Sequence, residues 1–231
     1  MKKLYTLAFL LINMLVFSQT KALTEDGKDV LLLDNGTWRY VNITDSLALQ
    51  TIKTNPTLFA KSKASTFQIK SKKLDIGLYL NTKIWRISTQ TKSPFTEYVF
   101  NDVHDENAVG AFMMTEKVQI PTLKNLKDII LTGVQNKVDY FRLKESEYRT
   151  VNGLNVIYIR YIANIKGLDF EYAGYYYIDN SGYCGVVGFS TQQNFESNFP
   201  VILDLLNGLS PAKRQVVTEV IEYSSPPPPM K

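Results

Sequence analysis

One arginine inside an apolar segment has the strongest chemical meaning in this sequence. Residues 156–163 are apolar at nearly every position except Arg160, a pattern that predicts a strand covered on both faces. Burying a guanidinium group without a partner is very costly. If this strand pairs with residues 170–178 across a turn at Lys166-Gly167, Glu171 falls near Arg160. The sequence therefore predicts an internal ion pair, with a pocket that grips an anionic ligand as the alternative.

Tyrosines concentrate in the same two segments: Tyr161, Tyr172, Tyr175, Tyr176 and Tyr177. Strand alternation sends Tyr172 and Tyr176 to one face and Tyr175 and Tyr177 to the other. Core packing accounts for most of them, and a face that the helices leave open is expected to bind a partner. Arg160, Glu171, Tyr175 and Tyr177 are therefore our candidate ligand-binding residues.

Four potential metal ligands lie close together, namely Asp102, His104, Asp105 and Glu106. Carboxylates suit calcium, whereas an imidazole suits a transition metal. The spacing matches no ion-binding loop, and polar residues are typical of a solvated loop between two strands. A metal site here is the weaker alternative, and we expect no cofactor.

Groups for nucleophilic catalysis are scarce, because the chain has one cysteine, Cys184, and one histidine, His104. That composition excludes an internal disulfide and a Cys/His zinc cage. Cys184 stands beside Gly185 on a predicted strand, with nothing nearby to lower its pKa, so we expect a small buried residue. The sequence offers no histidine-centred triad and no glycine-rich phosphate loop. We therefore predict no catalytic residue and no enzymatic activity.

The first residues have the pattern of an export signal. Lys2 and Lys3 precede an apolar run over residues 4–17, which is short of the ~20 residues that a spanning helix needs. We predict a signal peptide over residues 1–18, cleavage before Gln19 and export to the periplasm or the medium, with no transmembrane segment left after cleavage. Without the two lysines, 24 basic residues stand against 22 acidic ones, a balance that does not indicate nucleic acid as a partner.

Composition divides the exported chain into four parts. Residues 19–41 contain Asn35-Gly36, which favours a type I′ turn, and predict a small β-meander. Residues 42–65 are rich in Thr, Ser and Lys and are interpreted as a linker. Residues 66–210 form the main domain, and residues 211–231 a flexible tail that contains four consecutive prolines.

The main domain shows strand patterns, then a helix, then long strands, then a closing helix. We expect the first helix behind Thr122, and the second from about Asn198 with a left-handed C-cap at Asn207-Gly208. The order predicts an α+β fold, a mostly antiparallel sheet with helices against it. The predicted strands cover residues 66–71, 75–80, 84–88, 97–101, 110–116, 148–151, 156–163, 170–178 and 183–190.

Several short segments of the main domain are also familiar: Trp85, residues 112–121 (FMMTEKVQIP), Val151-Asn152-Gly153-Leu154, Gly174-Tyr175-Tyr176-Tyr177 and Asn207-Gly208-Leu209. Over about residues 67–209 the chain resembles bacterial relatives of the PsbP/Mog1-like domain family. The resemblance implies an α/β/α sandwich. It also implies an accessory role, since better-known members are an extrinsic photosystem subunit and a Ran-binding nucleotide-release factor, and it brings no catalytic motif.

Two functions follow from these observations. The first is a non-enzymatic exported accessory domain that binds a protein or an envelope component through a tyrosine-bearing sheet face. The alternative is a ligand carrier or hydrolase with a pocket near Arg160 and Glu171. A closed pocket holding paired carboxylates with separated pKa values would favour the alternative.

Overall fold

The computed structural model describes residues 20–24, 29–32, 36–40, 51–88, 93–104 and 109–215. The chain divides into two compact units after Thr51. The predicted signal peptide over residues 1–18, the proline segment of the predicted tail, Asp105 and Glu106 lie outside the described residues.

The first unit contains a three-stranded antiparallel sheet of β1 (Thr20–Leu23), β2 (Asp29–Leu32) and β3 (Trp38–Tyr40), in that order. Gly36 has φ +76° in the connection between β2 and β3, a conformation that glycine adopts without steric cost. Leu32 is then paired with Trp38 across the two strands. The Trp38 and Tyr40 rings meet edge to face, with centroids 4.9 Å apart.

The second unit is built on an eight-stranded sheet of order β4-β10-β11-β12-β13-β9-β8-β7. Its strands are β4 (Lys53–Phe59), β7 (Trp85–Ser88), β8 (Thr96–Asp102), β9 (Gly110–Glu116), β10 (Tyr140–Val151), β11 (Leu154–Ile165), β12 (Leu168–Asp179) and β13 (Gly182–Thr191). A second sheet, of order β14-β6-β5, contains β5 (Phe67–Lys70), β6 (Ile76–Leu80) and β14 (Leu209–Pro211). Among the described strands, β4 and β10 are the one parallel pair, so the large sheet is mixed. The described chain is mostly sheet with two helices, an α+β arrangement as predicted.

Two tight turns fix the register of the long central strands. Asn152 and Gly153 have φ +47° and +83°, and Lys166 and Gly167 have φ +54° and +81°. Positive φ at both central residues is the mark of a type I′ hairpin turn, whose twist matches that of the strands. The predicted turn at Lys166-Gly167 is therefore confirmed.

The first helix, α1 (Leu123–Gln135), begins where the sequence predicts. The Thr122 hydroxyl accepts a hydrogen bond from the Asn125 amide at 3.1 Å, which satisfies one of the free donors of the first turn. The helix packs against β10, β11 and β12, and we call that side of the large sheet the α1 face.

The second helix, α2 (Phe195–Leu206), starts three residues before the predicted position and contains Pro200. A proline in the second turn removes one backbone donor, while the complete burial of Phe195 holds the first turn on the sheet. The helix packs against β12, β13 and β6. That side of the large sheet, which the second sheet also covers, is the α2 face.

The predicted left-handed cap at the end of α2 is wrong. Asn207 has φ −65°, and the positive-φ glycines do not include Gly208. A Cβ at Gly208 would lie 1.8 Å from the Tyr79 carbonyl oxygen, and the Tyr79 amide donates to the Gly208 carbonyl at 2.8 Å. Glycine is needed here because two backbones approach closely, not because of its dihedral freedom.

The structure also differs from the predicted linker and tail. Lys53–Phe59 forms β4 at the edge of the large sheet, and its outward residues, with Leu58 79% exposed, hide the strand periodicity from the sequence. Beyond β14 the chain runs beside residues 71–75, where the Gln215 amide donates to the Ser71 carbonyl at 2.8 Å. The segment that follows the main domain is therefore hydrogen-bonded to it as far as Gln215.

Candidate functional site

Arg160 lies at the centre of a group of charges on the α2 face. Its guanidinium donates to the Glu171 carboxylate and to Glu196 in the first turn of α2. The Lys144 ammonium also contacts Glu171, at 3.0 Å. We call Lys144, Arg160, Glu171 and Glu196 the ion cluster. The predicted pair of Arg160 and Glu171 is present, as part of this larger cluster.

The register explains how the pair forms. Arg160 is paired across the ladder with Ala173, and Glu171 with Ile162, so Arg160 and Glu171 are diagonal neighbours on one face. Long side chains reach across such a diagonal. Glu171 is only 2% exposed, whereas Glu196 is 72% exposed. The buried part of the cluster is therefore the contact of Glu171 with its two cations.

Aromatic rings cover the guanidinium group. Its carbon lies 4.7 Å from the Phe195 ring centroid and 5.0 Å from that of Phe199, within the range of cation–π attraction. Burial acts to lower the pKa of Arg160, but hydrogen bonds from its guanidinium to Glu196 and Glu171 outweigh it and raise that pKa. Arg160 is thus a permanent cation that joins the sheet to the first turn of α2.

A second arginine occupies the same face. Arg149 donates to Glu147 at 2.8 Å and to the Tyr175 hydroxyl at 3.4 Å. Tyr175 in turn donates to the Asn207 side-chain oxygen at 3.0 Å, and the Arg149 guanidinium lies 3.6 Å from the Tyr158 ring centroid. This chain of hydrogen bonds connects β10 through β12 to the end of α2.

Two neighbouring carboxylates have pKa values that move in opposite directions. Burial, and then the charge of Glu147, raises the pKa of Glu145. Burial also acts to raise the pKa of Glu147, but hydrogen bonds from Asn55 and Arg149 outweigh it, so that pKa is lowered. Glu145 lies opposite Arg160 in the β10–β11 ladder. The α2 face therefore has a carboxyl with a raised pKa beside a carboxyl with a lowered pKa.

The sequence reasoning missed these two carboxylates. Glu145, Glu147 and Arg149 alternate along β10, which places all three on one face of the strand. The predicted strand began only at residue 148, so the pattern was outside it. The sequence signal for these carboxylates was the alternation of charged residues at positions 145, 147 and 149, just before the apolar run of the next strand.

The candidate tyrosines are distributed as strand alternation predicts. Tyr175 is fully buried on the α2 face, and Tyr177 is partly buried on the same side. Tyr176 is buried on the α1 face, and Tyr172 is partly buried there. Tyr175 stands in the hydrogen-bond chain of Arg149 and presents no surface to a partner.

The other candidate residues make local contacts. The Asp102 carboxylate accepts a hydrogen bond from the His104 amide at 2.7 Å, a turn of the kind that Asx residues often form. Within the described ranges, no group of three or more His, Cys, Asp or Glu side chains could hold a metal ion. Cys184 is buried, and burial raises the pKa of its thiol.

Part of the α1 face extends beyond the helix. On β9, β12 and β13 this face has four partly buried rings, Phe112, Phe170, Tyr172 and Phe189, which we call the aromatic surface. The Phe189 ring centroid lies 5.5 Å from that of Tyr172, 6.3 Å from that of Phe112 and 6.4 Å from that of Phe170. The α1 helix packs on β10, β11 and β12, so Phe170 and Tyr172 lie on a strand that the helix also contacts. The four rings form one contiguous, partly buried patch.

No helix among the described residues is long and apolar enough to cross a membrane. A cavity of about 420 Å³ lies away from the ion cluster and is open to solvent. Its lining residues are Lys73, Pro94, Phe95, Glu116, Lys117 and Val118.

Comparison with known proteins finds matches among solved structures, all at low sequence identity. No protein-family model matches the chain, and no curated protein matches it in sequence. Among solved structures, cyanobacterial PsbP (CyanoP) from Synechocystis sp. PCC 6803 is 12% identical, with 64% of this chain and 93% of that chain covered and a TM-score of 0.47.

Two further structures are similar to a lesser degree. PA94 of Pseudomonas aeruginosa, a protein of unknown function and putative regulator, is 9% identical, with 58% of this chain and 90% of that chain covered and a TM-score of 0.38. LpqN of Mycobacterium tuberculosis, which is involved in cell envelope biogenesis, is 10% identical, with 73% and 96% covered and a TM-score of 0.31. The solved structures similar to this chain thus include a bacterial PsbP and a cell-envelope protein.

Proposed function

We propose that this protein is an exported accessory domain without enzymatic activity, which binds a protein or an envelope component. In this proposal the main domain is a PsbP/Mog1-like α/β/α sandwich preceded by a small β-meander. Packing of α1 on one face of the large sheet and of α2 on the other supports the sandwich.

The aromatic surface is the observation that carries the proposal. Its four rings lie together and are only partly buried, and aromatic side chains supply large contact area at low cost in conformational entropy. The arginines of the α2 face, in contrast, have their partners within the protein. The aromatic surface therefore takes the place of Tyr175 and Tyr177 as the expected contact.

Retention of envelope components by the immobilised mature protein tests this contact. We expect Phe112→Ser and Phe170→Ser to abolish the retention of a component that the unaltered protein retains. Phe67→Ser is the matched control, because Phe67 is an exposed ring outside the aromatic surface. Thermal melts confirm that each variant is folded. Equal retention by all variants would contradict the proposal.

Export is tested separately, by intact-mass analysis of the protein recovered from the periplasm or the medium. The chain is expected to begin at Gln19 or within two residues of it. A chain that still carries residues 4–17 would contradict the export signal.

A ligand carrier or hydrolase near Arg160 and Glu171 is the second candidate. The opposite pKa shifts of Glu145 and Glu147 meet one of the two conditions for it, because acid–base catalysis uses carboxyl groups with separated pKa values. The described cavity, however, is open and lies elsewhere. Hydrolysis of p-nitrophenyl glycosides that Glu147→Gln abolishes would support this function. Equal rates in the variant and the unaltered protein would count against it.

A further inference from the structure

The open cavity at the end of β9 combines apolar walls with positive charge. Pro94, Phe95 and Val118 form its apolar side, and Phe95 and Val118 are 52% and 51% exposed. The concavity has a volume of about 420 Å³ and is widely open to solvent, so a ligand there would lie along the surface with one side exposed. Large apolar side chains exposed around one concavity indicate a binding site more than isolated ones do.

Lys73 is held in a fixed position at this cavity. Its ammonium donates to the Pro94 carbonyl oxygen at 3.1 Å and to the Thr115 carbonyl oxygen at 2.9 Å. An ammonium has three donors, so one donor remains after these two bonds. Within the described part of the chain, Lys73 makes no ion pair. Its charge is therefore positioned by the backbone and has no carboxylate in direct contact, although Glu97 accepts hydrogen bonds from the neighbouring Lys72 amide and Thr115 hydroxyl.

The other charges of the lining keep the balance positive. Lys117 stands beside the cavity and is exposed. Burial, and then the charge of the nearby Glu116, raises the pKa of Tyr183. Glu116 is the single carboxylate of the lining, so two lysines stand against one carboxylate at this cavity.

We propose that this cavity binds an anionic amphiphile, namely a carboxylate with an aliphatic chain. The carboxylate is bound by the free donor of Lys73, with Lys117 as the second cation, since charge-assisted hydrogen bonds to carboxylates are strong. The aliphatic chain lies against Pro94, Phe95 and Val118. This site uses none of the rings of the aromatic surface, so it is independent of the function proposed above.

Decanoate titrated into the full exported chain, followed by amide chemical shifts in NMR spectra, tests the site. Shifts are expected at Lys73, Phe95 and Lys117. Decyltrimethylammonium has a chain of the same length and a cationic head, and we expect it to bind several-fold more weakly. Raising the salt concentration should weaken decanoate binding, because exposed charges are screened.

Two pairs of variants test separately the contacts of the ligand's carboxylate head and those of its aliphatic chain. Lys117→Glu should weaken decanoate binding several-fold, whereas Lys63→Glu, a charge reversal at another exposed lysine, should leave it unchanged. Phe95→Ser should likewise weaken it, and Phe67→Ser should not. Lys73 itself is not substituted in this test, because its side chain is hydrogen-bonded to two backbone segments and its loss would also affect the fold.

Equal affinity for the two head groups would overturn the proposal. So would decanoate shifts that fall outside the cavity lining, or the absence of any shift. An equal loss of affinity in Lys63→Glu and Lys117→Glu would also overturn it, because the effect would then be one of net charge.

Discussion

Replacing Arg160 by methionine removes the cation that three structural features share. It breaks the buried contact with Glu171, the exposed contact with Glu196 and the packing on the rings of Phe195 and Phe199. Methionine is unbranched and apolar, so it keeps much of the packing volume. The change therefore tests the charge of Arg160 more than its size.

The expected loss follows from what each contact contributes. Removing one partner of a buried pair typically costs about 3–5 kcal/mol, because the other charge stays buried. Here Glu171 keeps Lys144 at 3.0 Å, which reduces the penalty. The contact with exposed Glu196 adds only about 0–1 kcal/mol, and the lost cation–π contacts add about 0.5–1 kcal/mol. We expect Arg160→Met to lower the free energy of unfolding by about 2–4 kcal/mol.

Urea denaturation of four proteins measures the coupling free energy between Arg160 and Glu171. The four are the unaltered protein, Arg160→Met, Glu171→Met and the double variant. The double variant should recover much of the lost stability, because no uncompensated carboxylate remains beneath α2. The coupling free energy should be about 1–3 kcal/mol, as for residues in direct contact. Lys144→Met is the control. Lys144 is 28% exposed, against 13% for Arg160, and contacts no aromatic ring of α2, so we expect a smaller loss than for Arg160→Met.

A coupling free energy near zero would refute the reasoning, and with it the role of the diagonal contact in stabilising the register. If Arg160→Met instead kept or gained stability and lost a ligand, the arginine would belong to a binding site. Functional sites often hold charge at the expense of stability.

Three further predictions concern single positions. Because burial and Glu147 raise the pKa of Glu145 above 4.5, its ionisation opposes folding: Glu145→Gln should stabilise the protein at pH 7, and melts below pH 4.5 should show that gain disappear. Gly208→Ala should lower the free energy of unfolding by about 1–3 kcal/mol, because the added methyl group overpacks against a backbone carbonyl. Gly133 has open space around it, so Gly133→Ala should raise the free energy of unfolding by about 0.5–1 kcal/mol. Equal effects of the two variants in denaturant melts would contradict the assigned cause. Cys184 is buried with a raised pKa, so Ellman's reagent should react only after denaturation, and rapid reaction in the native protein would contradict the burial.

The central sheet could be predicted because its signals are local and strong. The apolar run of β11 and the turn at Lys166-Gly167 place Arg160 near Glu171 once the two strands pair. The first helix is equally local, since Thr122 caps a segment of helical periodicity. Such elements need no knowledge of distant neighbours.

Contacts between distant segments could not be predicted in this way. β4 has exposed outer residues and is a strand only because β10 lies beside it. The need for Gly208 arises from the backbone of Tyr79 in another sheet. Lys144 of β10 and Glu196 of α2 complete the ion cluster. The pairing of β11 with β12 predicts neither of these two contacts. The residues adjacent in sequence do not identify the distant partner that such a residue contacts in the fold.

The arrangement of partners also indicates which charges are available to a ligand. Arg160 and Arg149 each have carboxylates within the fold, so an anion that bound either would have to displace a carboxylate already in contact. Lys73, in contrast, is held by neutral carbonyl groups and has no carboxylate in direct contact. An anion that binds Lys73 displaces no carboxylate. Its binding is therefore less costly, because no buried carboxylate loses its cation. An anionic ligand is therefore expected at the Lys73 cavity and not at the arginines of the α2 face, although the sequence gives the arginine within the apolar strand far more prominence.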